Sequence, residues 1–209
     1  MDKRTKNVLT TAILGVAWGV ATAFGARVLL NYETSPGDIG NVPVTWPGGA
    51  AIDLARDRPT LVMIAHPQCP CTVASMDELA ELVAHIHGKV HAYVLFYTPR
   101  TVRADWESTH LREIASRIPE VTVLSDVDGV EARRFGAETS GHTFLFATDG
   151  RLLFNGGITA SRGHSGGNTG ESAIVSLVNN QAGAPNHTFV FGCSLKSPVQ
   201  GKGGFTCLK

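Results

Sequence analysis

Apolar and polar positions fall along the chain in blocks that predict strands and helices in turn. Leu61-Val62-Met63-Ile64-Ala65 is an unbroken apolar run with the length and β-branched content of a buried strand. It stops at His66-Pro67, where proline removes a ladder donor. Beyond it Val73, Met76, Leu79, Ala80, Val83 and Ile86 recur at three- and four-residue steps, with Asp77, Glu78 and Glu81 on the other face. That pattern predicts an amphipathic helix over residues 72–87, ended by Gly88. His91 to Tyr97 reads as a second strand, and Arg103 to Ile118, with Trp106, Leu111, Ile114 and Ile118 inward, as a second helix closed by Pro119. Val121 to Leu124 forms a short strand, and Gly129 to Phe135 one or two helical turns. Thr143 to Ala147 and Arg151 to Phe154 flank Asp149-Gly150, a strong hairpin signal. Ala173, Ile174, Leu177 and Val178 give the helix over 171–180 its apolar face. Strands alternating with helices and then a hairpin predict an α/β fold, a mixed sheet flanked by helices.

The N-terminal pattern is different in kind. Lys3, Arg4 and Lys6 precede an uncharged stretch from Asn7 to Ala26, and the next charge is Arg27. As a helix this stretch spans about 28 Å, close to the hydrocarbon thickness of a bilayer. The basic flank would hold the N-terminus in the cytoplasm and send the rest outward, giving a single-pass cell-membrane protein with an extracytoplasmic, periplasmic domain. A cleaved signal peptide competes with this reading, since Ala21-Thr22-Ala23 and Phe24-Gly25-Ala26 resemble weak cleavage sites, but the apolar core is long for one. Gly15, Gly19 and Ala23 are spaced four apart, so one helix face is small enough to pack against another helix.

Composition then divides the chain. Residues 1–30 form the expected membrane anchor. Residues 31–58, with Pro36, Gly37, Gly40, Pro43, Pro47, Gly48 and Gly49, form a linker and lead-in with a short strand near Val42 to Trp46. Residues 59–180 form the α/β domain, and 181–209 a polar, loop-like C-terminal extension. With 18 basic and 18 acidic residues the net charge is zero, and no basic stripe is interleaved with aromatics, so nucleic acid is not an expected partner. The Gly-rich run 163–170 lacks the lysine and Ser/Thr of a phosphate-binding loop and reads as a mobile loop with His164 exposed.

Chemistry concentrates at the junction after the first strand. Cys69 and Cys71 stand where the strand hands over to the helix, and there unpaired N–H groups and the helix dipole favour thiolate over thiol. Four cysteines are too few to staple a chain of 209 residues, so reactivity or metal binding is the expectation for the close pair. A disulfide between residues i and i+2 closes a very small ring and should be strained and easily reduced. Two thiolates one residue apart also suit a single metal ion. Cys193 fits three roles: completing the site, pairing with Cys207, or sitting buried as a small hydrophobe. His66 is either a ligand or base beside the pair or a simple strand-end cap.

Three phrases carry a family resemblance: the strand, Cys69-Pro70-Cys71 and helix over 60–87; VTVLSDVDGVEARRFGAETSGHTFLF at 121–146; and TDGRLLFNGG at 148–157. Over about Pro59 to Val178 the chain resembles the thioredoxin-like superfamily, especially its membrane-anchored extracytoplasmic thiol–disulfide branch. It also resembles bacterial proteins labelled RedB, a name that carries no established reaction. The resemblance implies a redox cysteine pair at the first helix N-terminus, with Cys69 attacking a disulfide of a protein partner and Cys71 resolving the mixed disulfide. Two positions depart from the family's pattern. Its pair is Cys-x-x-Cys, so an ungapped alignment puts Gln68 at the nucleophile position and makes Cys71 the resolving cysteine, while a one-residue deletion restores Cys69 as nucleophile. His142 falls where the family places a cis-proline.

His142 would then bring an imidazole to the thiols, and Cys69, Cys71 and His142, with Cys193 as a fourth ligand, form a set suited to copper or zinc, or through the thiolates to an iron–sulfur cluster. Three functions follow as expectations: thiol–disulfide exchange, metal binding or delivery, and an accessory role in a larger membrane complex that docks through the Gly15/Gly19 face and the C-terminal extension.

Overall fold

The computed structural model describes residues 2–101, 106 and 109–195. Helix α1 (Lys3–Thr34) buries none of its residues and is long and apolar enough to cross a membrane. It continues past the apolar stretch because Val28, Leu29, Leu30 and Tyr32 carry no helix breaker. It ends where Pro36 disfavours helical geometry in the preceding residue, and Ser35 is extended at φ −80°, ψ 117°. The chain divides into two compact units between Ser35 and Pro36.

The second unit is built on a five-stranded sheet of order β3-β2-β1-β4-β5. Its central strand β1 (Thr60–Ala65) is buried along its whole length. On one side it pairs in parallel with β2 (His91–Thr98), which pairs in parallel with β3 (Val121–Val127). On the other it runs antiparallel to β4 (His142–Phe146), itself antiparallel to β5 (Leu152–Gly156) across the predicted Asp149-Gly150 turn. Alternation along β1 sorts the two cores. Leu61, Met63 and Ala65 face a cluster with Met76, Leu79, Leu82, Val94, Leu145 and Ile174, whereas Val62 and Ile64 face one with Leu95, Phe135, Phe144 and Phe146.

Helices α2 (Thr72–His85), α3 (His110–Arg117) and α5 (Thr169–Val178) supply the first core, and α4 (Val130–Phe135) the second. Side-chain caps start two of them: Thr109 accepts from the Arg112 N–H and Asn168 from the Glu171 N–H. Much of the expected N-terminal part of the 103–118 helix lies outside the described residues. The edge strand β3 is longer than its apolar letters suggest, reaching Val127 through pairing with β2 as far as Thr98.

Three segments that composition marked as loops are held by specific contacts. Residues 31–34 of the expected lead-in continue α1, and from Pro36 on the lead-in is a packed part of the second unit rather than a spacer. Its predicted strand is reduced to a bridge between Thr45 and Arg151, and the Trp46 ring stands edge-on to Phe135 and Phe146 at 5.3 and 5.2 Å. The Gly-rich loop is tied to α2, because the carboxylate of buried Glu78 accepts from the Gly166 N–H and from the Asn168 amide at 2.7 Å. His164 is exposed, as expected. The C-terminal extension returns across the domain, burying Val190 and Leu195 and bridging Asn155 to His187 and Thr139 to Ser194.

Gly136 shows how tightly the lead-in is fitted. It closes α4 at φ 72°, and a Cβ there would overlap the backbone of Asn41 and Val42. Gly136→Ala therefore combines a left-handed backbone with a steric clash and is expected to cost about 1–3 kcal/mol. Urea unfolding of the detergent-solubilised protein checks this, and an unchanged midpoint would show that the lead-in yields freely.

Candidate functional site

The site is assembled where β1 hands over to α2. After Ala65 the His66 N–H donates to the Ser140 hydroxyl at 2.7 Å, and the chain turns so that the Cys69 N–H reaches the His66 carbonyl at 3.1 Å. The Thr72 N–H then donates to the Cys69 carbonyl at 3.2 Å, and Cys71 stands at the helix N-cap with φ −66°, ψ −26°. No side chain caps α2; its Thr72 and Val73 N–H groups donate to the Cys69 and Pro70 carbonyls, so what the helix end offers the neighbouring sulfurs is its dipole, which favours negative charge. Thr72 Oγ1 lies 2.7 Å from Ser140 Oγ, closing a small buried network.

The C-terminal arm completes the site from the other side. The Ser140 N–H donates to the Cys193 carbonyl at 2.8 Å, and the Leu195 N–H to the Glu138 carbonyl at 2.8 Å, so residues 193–195 run alongside 138–140. The Arg162 guanidinium donates to the Gly192 carbonyl. Gly192 permits this approach because a Cβ there would overlap the Ser140 carbonyl. As a result Cys193 Sγ lies 2.7 Å from Cys69 Sγ, and the Cys193 N–H points at the same sulfur at 3.3 Å. The sulfurs of Cys69, Cys71 and Cys193 all lie within 4.8 Å of one another, and no disulfide joins these three.

The three sulfurs are not equivalent. Cys69 is 2% exposed and Cys71 8% exposed, whereas Cys193 is partly open to solvent. Hydrogen bonds from the Cys193 and Cys71 side chains, with smaller help from Thr72 and the Cys193 N–H, overcome burial and hold the Cys69 thiol well below its ordinary pKa. At Cys71 the Cys193 contact lowers the pKa. The bond to Cys69, burial and the Cys69 charge outweigh it, so Cys71 keeps its proton. The cluster therefore favours one thiolate stabilised by its neighbours.

The sequence-predicted residues are distributed unevenly around this cluster. Cys69, Cys71 and Cys193 are brought together. His142 is not brought to them, because the period of two along β4 places it with Ile64 and Phe144 on the opposite face of the sheet from α2. Its ring packs 4.1 Å from that of Phe144, and neither ring nitrogen makes a hydrogen bond of good geometry among the described residues. Burial pushes its pKa down to about 3, with the nearby Asn155 side chain opposing only in part. The described backbone contains no cis peptide, so the bond before His142 is trans. His66 acts as a cap: its Nδ1 accepts from the Gln68 N–H at 3.2 Å while its ring lies against Tyr97 and Trp106. Burial lowers its pKa, and the Cys69 charge opposes that shift. Cys207 lies outside the described residues. Sequence reasoning missed Ser140, Thr72, Arg162 and Gly192; the glycine directly before Cys193 was the one local signal for the last.

No protein-family model and no curated protein matches the chain. Solved structures do. An uncharacterized conserved protein from Geobacillus kaustophilus is 17% identical with a TM-score of 0.58, over 80% of this chain and 95% of that one. A hypothetical protein from Sinorhizobium meliloti is 16% identical with a TM-score of 0.57, over 78% and 94%. A secreted Mycobacterium tuberculosis disulfide oxidoreductase, homologous to E. coli DsbE, is 18% identical with a TM-score of 0.43, over 65% and 93%. The strand order and the β-α-β then β-β-α connectivity about β1 make the fold thioredoxin-like.

The buried imidazole generates a pH prediction. The unfolded chain protonates its histidine below about pH 6.5, whereas folded His142 resists protonation down to about 3. Protons therefore favour the unfolded state across that window, at up to about 1.4 kcal/mol per pH unit. His142→Phe should remove this penalty, so the melting temperature of the variant minus that of wild type should rise as pH falls from 7 towards 4. A difference independent of pH would mean that His142 is not buried neutral.

Proposed function

We propose that the protein is a membrane-anchored, extracytoplasmic thiol–disulfide exchange protein acting on a protein partner. The observation that carries this reading is the 2.7 Å separation of Cys69 Sγ and Cys193 Sγ at the uncapped N-terminus of α2. Sulfurs that close lie within about 0.7 Å of a disulfide's bond length, and a stabilised thiolate with a second thiol at hand is what exchange requires. Cys69 is the sulfur through which exchange passes. Helix α1 anchors the chain, and Lys3, Arg4 and Lys6 keep its N-terminus in the cytoplasm.

A second reading rests on the same three sulfurs: binding or delivery of copper or zinc by Cys69, Cys71 and Cys193. Sulfurs bound to one tetrahedral zinc at ~2.3 Å stand about 3.8 Å apart, so the Cys69–Cys193 pair would have to open by about 1 Å to share the ion. A Cys69–Cys193 disulfide at ~2.05 Å needs the same pair to close by only about 0.7 Å, a smaller movement, and exchange is preferred.

Purified wild-type protein should catalyse thiol–disulfide exchange on a model protein disulfide after metal is stripped, and Cys69→Ser should lower the rate at least a hundredfold. Equal rates for the two would sink the exchange reading. Metal and free-thiol counts on one air-free sample separate the readings: stoichiometric metal lost in Cys69→Ser would favour the second. For the anchor, wild type should stay with membranes through an alkaline carbonate wash. Val16→Arg, at about 2.5–3.5 kcal/mol of insertion cost, should shift protein to the soluble fraction. Wild type released by carbonate would refute anchoring.

A further inference from the structure

Cys193 is the one described cysteine that the redox pattern of the first helix does not include, and three features place it in the chemistry. Its sulfur stands 2.7 Å from that of Cys69, although the two residues are 124 positions apart. Its backbone is clamped on both sides, by the Ser140 N–H on its own carbonyl and by Arg162 on the Gly192 carbonyl. It is also the most exposed of the three, whereas Cys69 lies beneath the surface. A Cys69–Cys71 disulfide, by contrast, must close the small ring of an i, i+2 pair.

We infer that Cys193, on the arm beyond α5, forms the working disulfide with Cys69 and is the sulfur that the partner meets. This rests on the exchange reading given above. In the oxidised protein the bond joins Cys69 Sγ to Cys193 Sγ. A thiolate of a partner dithiol attacks Sγ of Cys193, the more exposed of the two residues, the Cys69–Cys193 bond breaks, and its electron pair leaves on Cys69 Sγ. The second partner thiol then attacks its own sulfur in the mixed disulfide and displaces Cys193. Two electrons have passed from the partner dithiol to the protein; of the two thiol protons, one ends on Cys193 and the other goes to solvent while Cys69 remains a thiolate. The reverse sequence reduces a partner disulfide: Cys193 gives its proton to solvent as its sulfur attacks, one partner sulfur leaves as thiolate, and the Cys69 thiolate then attacks Cys193 Sγ and releases the second partner thiolate, both partner thiolates taking protons from solvent. Cys71 keeps its proton throughout and donates to the Cys69 sulfur, a positioning role.

The test uses the full-length protein in detergent, with Cys207→Ser introduced so that Cys207 cannot compete for Cys193. After mild oxidation, alkylation and proteolysis, mass spectrometry should find Cys69 linked to Cys193 and Cys71 alkylated. Cys71→Ser should keep that link and retain exchange within about tenfold. Cys193→Ser and Cys193→Ala should each lose at least a hundredfold while keeping the wild-type circular dichroism. Gly192→Ala, which leaves all thiols in place, should slow formation of the link severalfold by pushing the arm away from Ser140. A Cys69–Cys71 link in an active protein, or full activity in the Cys193 variants, would overturn the assignment while leaving exchange intact. A Cys69–Cys193 link in a protein inert towards every protein disulfide and dithiol tried would instead overturn the exchange reading and reduce the bond to a structural one.

Discussion

The hydrogen bonds of Ser140 are the constraint on which the site depends. Its hydroxyl accepts from the His66 N–H and pairs with Thr72 Oγ1, and its own N–H donates to the Cys193 carbonyl. One fully buried residue thus joins the end of the central strand, the first turn of α2 and the C-terminal arm. Buried polar groups carry a penalty of about 1–3 kcal/mol each when left unpaired, so these partners are fixed in direction as well as distance. Because each of the three segments carries a cysteine or adjoins one, satisfying Ser140 also brings the three sulfurs together. The peptide groups around it are shared with structural bonds of the sheet: the neighbouring Gly141 N–H donates to the Ile64 carbonyl at 2.8 Å.

Convergence of three sulfurs in a closed site creates an electrostatic problem that hydrogen bonding resolves. Three thiolates at this spacing would repel strongly where water is scarce, while three thiols would leave little nucleophilic character. A single thiolate on Cys69, receiving hydrogen bonds from both neighbours, lies between these extremes. Cys71 then becomes harder to ionise because Cys69 already carries the charge. The N-terminus of α2 has no side-chain cap, and the positive end of its dipole adds to the stabilisation of charge on Cys69.

Much of the fold was legible because periodicity reports burial directly. The apolar run of β1, the three- and four-residue steps of α2 and the Asp149-Gly150 turn each carry their structure locally. What could not be read was set by distance in sequence. His142 was placed at the site by its neighbourhood in the chain, yet its orientation follows from register: pairing with Ile64 fixes which face it takes. The prolines and glycines of the lead-in suggest a spacer, but Gly37 and Gly40 are tied by their N–H groups to the Val190 and Gly136 carbonyls, and Trp46 stands edge-on to Phe135 and Phe146, which also touch each other. Cys193 sits in a short stretch with no periodic signal, and its contacts with Cys69 and with residues 138–140 locate it. Cysteine spacing identified half of the site, and the other half is a tertiary contact.

The separation of Cys69 and Cys193 also bears on what kind of bond they can make. Closing a loop of more than one hundred residues removes unfolded-chain entropy equivalent to about 4–5 kcal/mol in the simplest model, which stabilises the folded oxidised chain. The hydrogen bonds and helix terminus that hold Cys69 as a thiolate stabilise the reduced chain instead. These act in opposite directions on one bond. A purely structural disulfide would lack the second influence, and an isolated reactive thiol the first. Under the exchange reading proposed above, two opposing influences of this kind draw the redox states of the pair closer together in free energy. The atypical Cys-x-Cys spacing is intelligible on the same ground. If the second sulfur is supplied by the C-terminal arm, as proposed above, Cys71 need not span the strained ring and stays protonated beside the Cys69 thiolate.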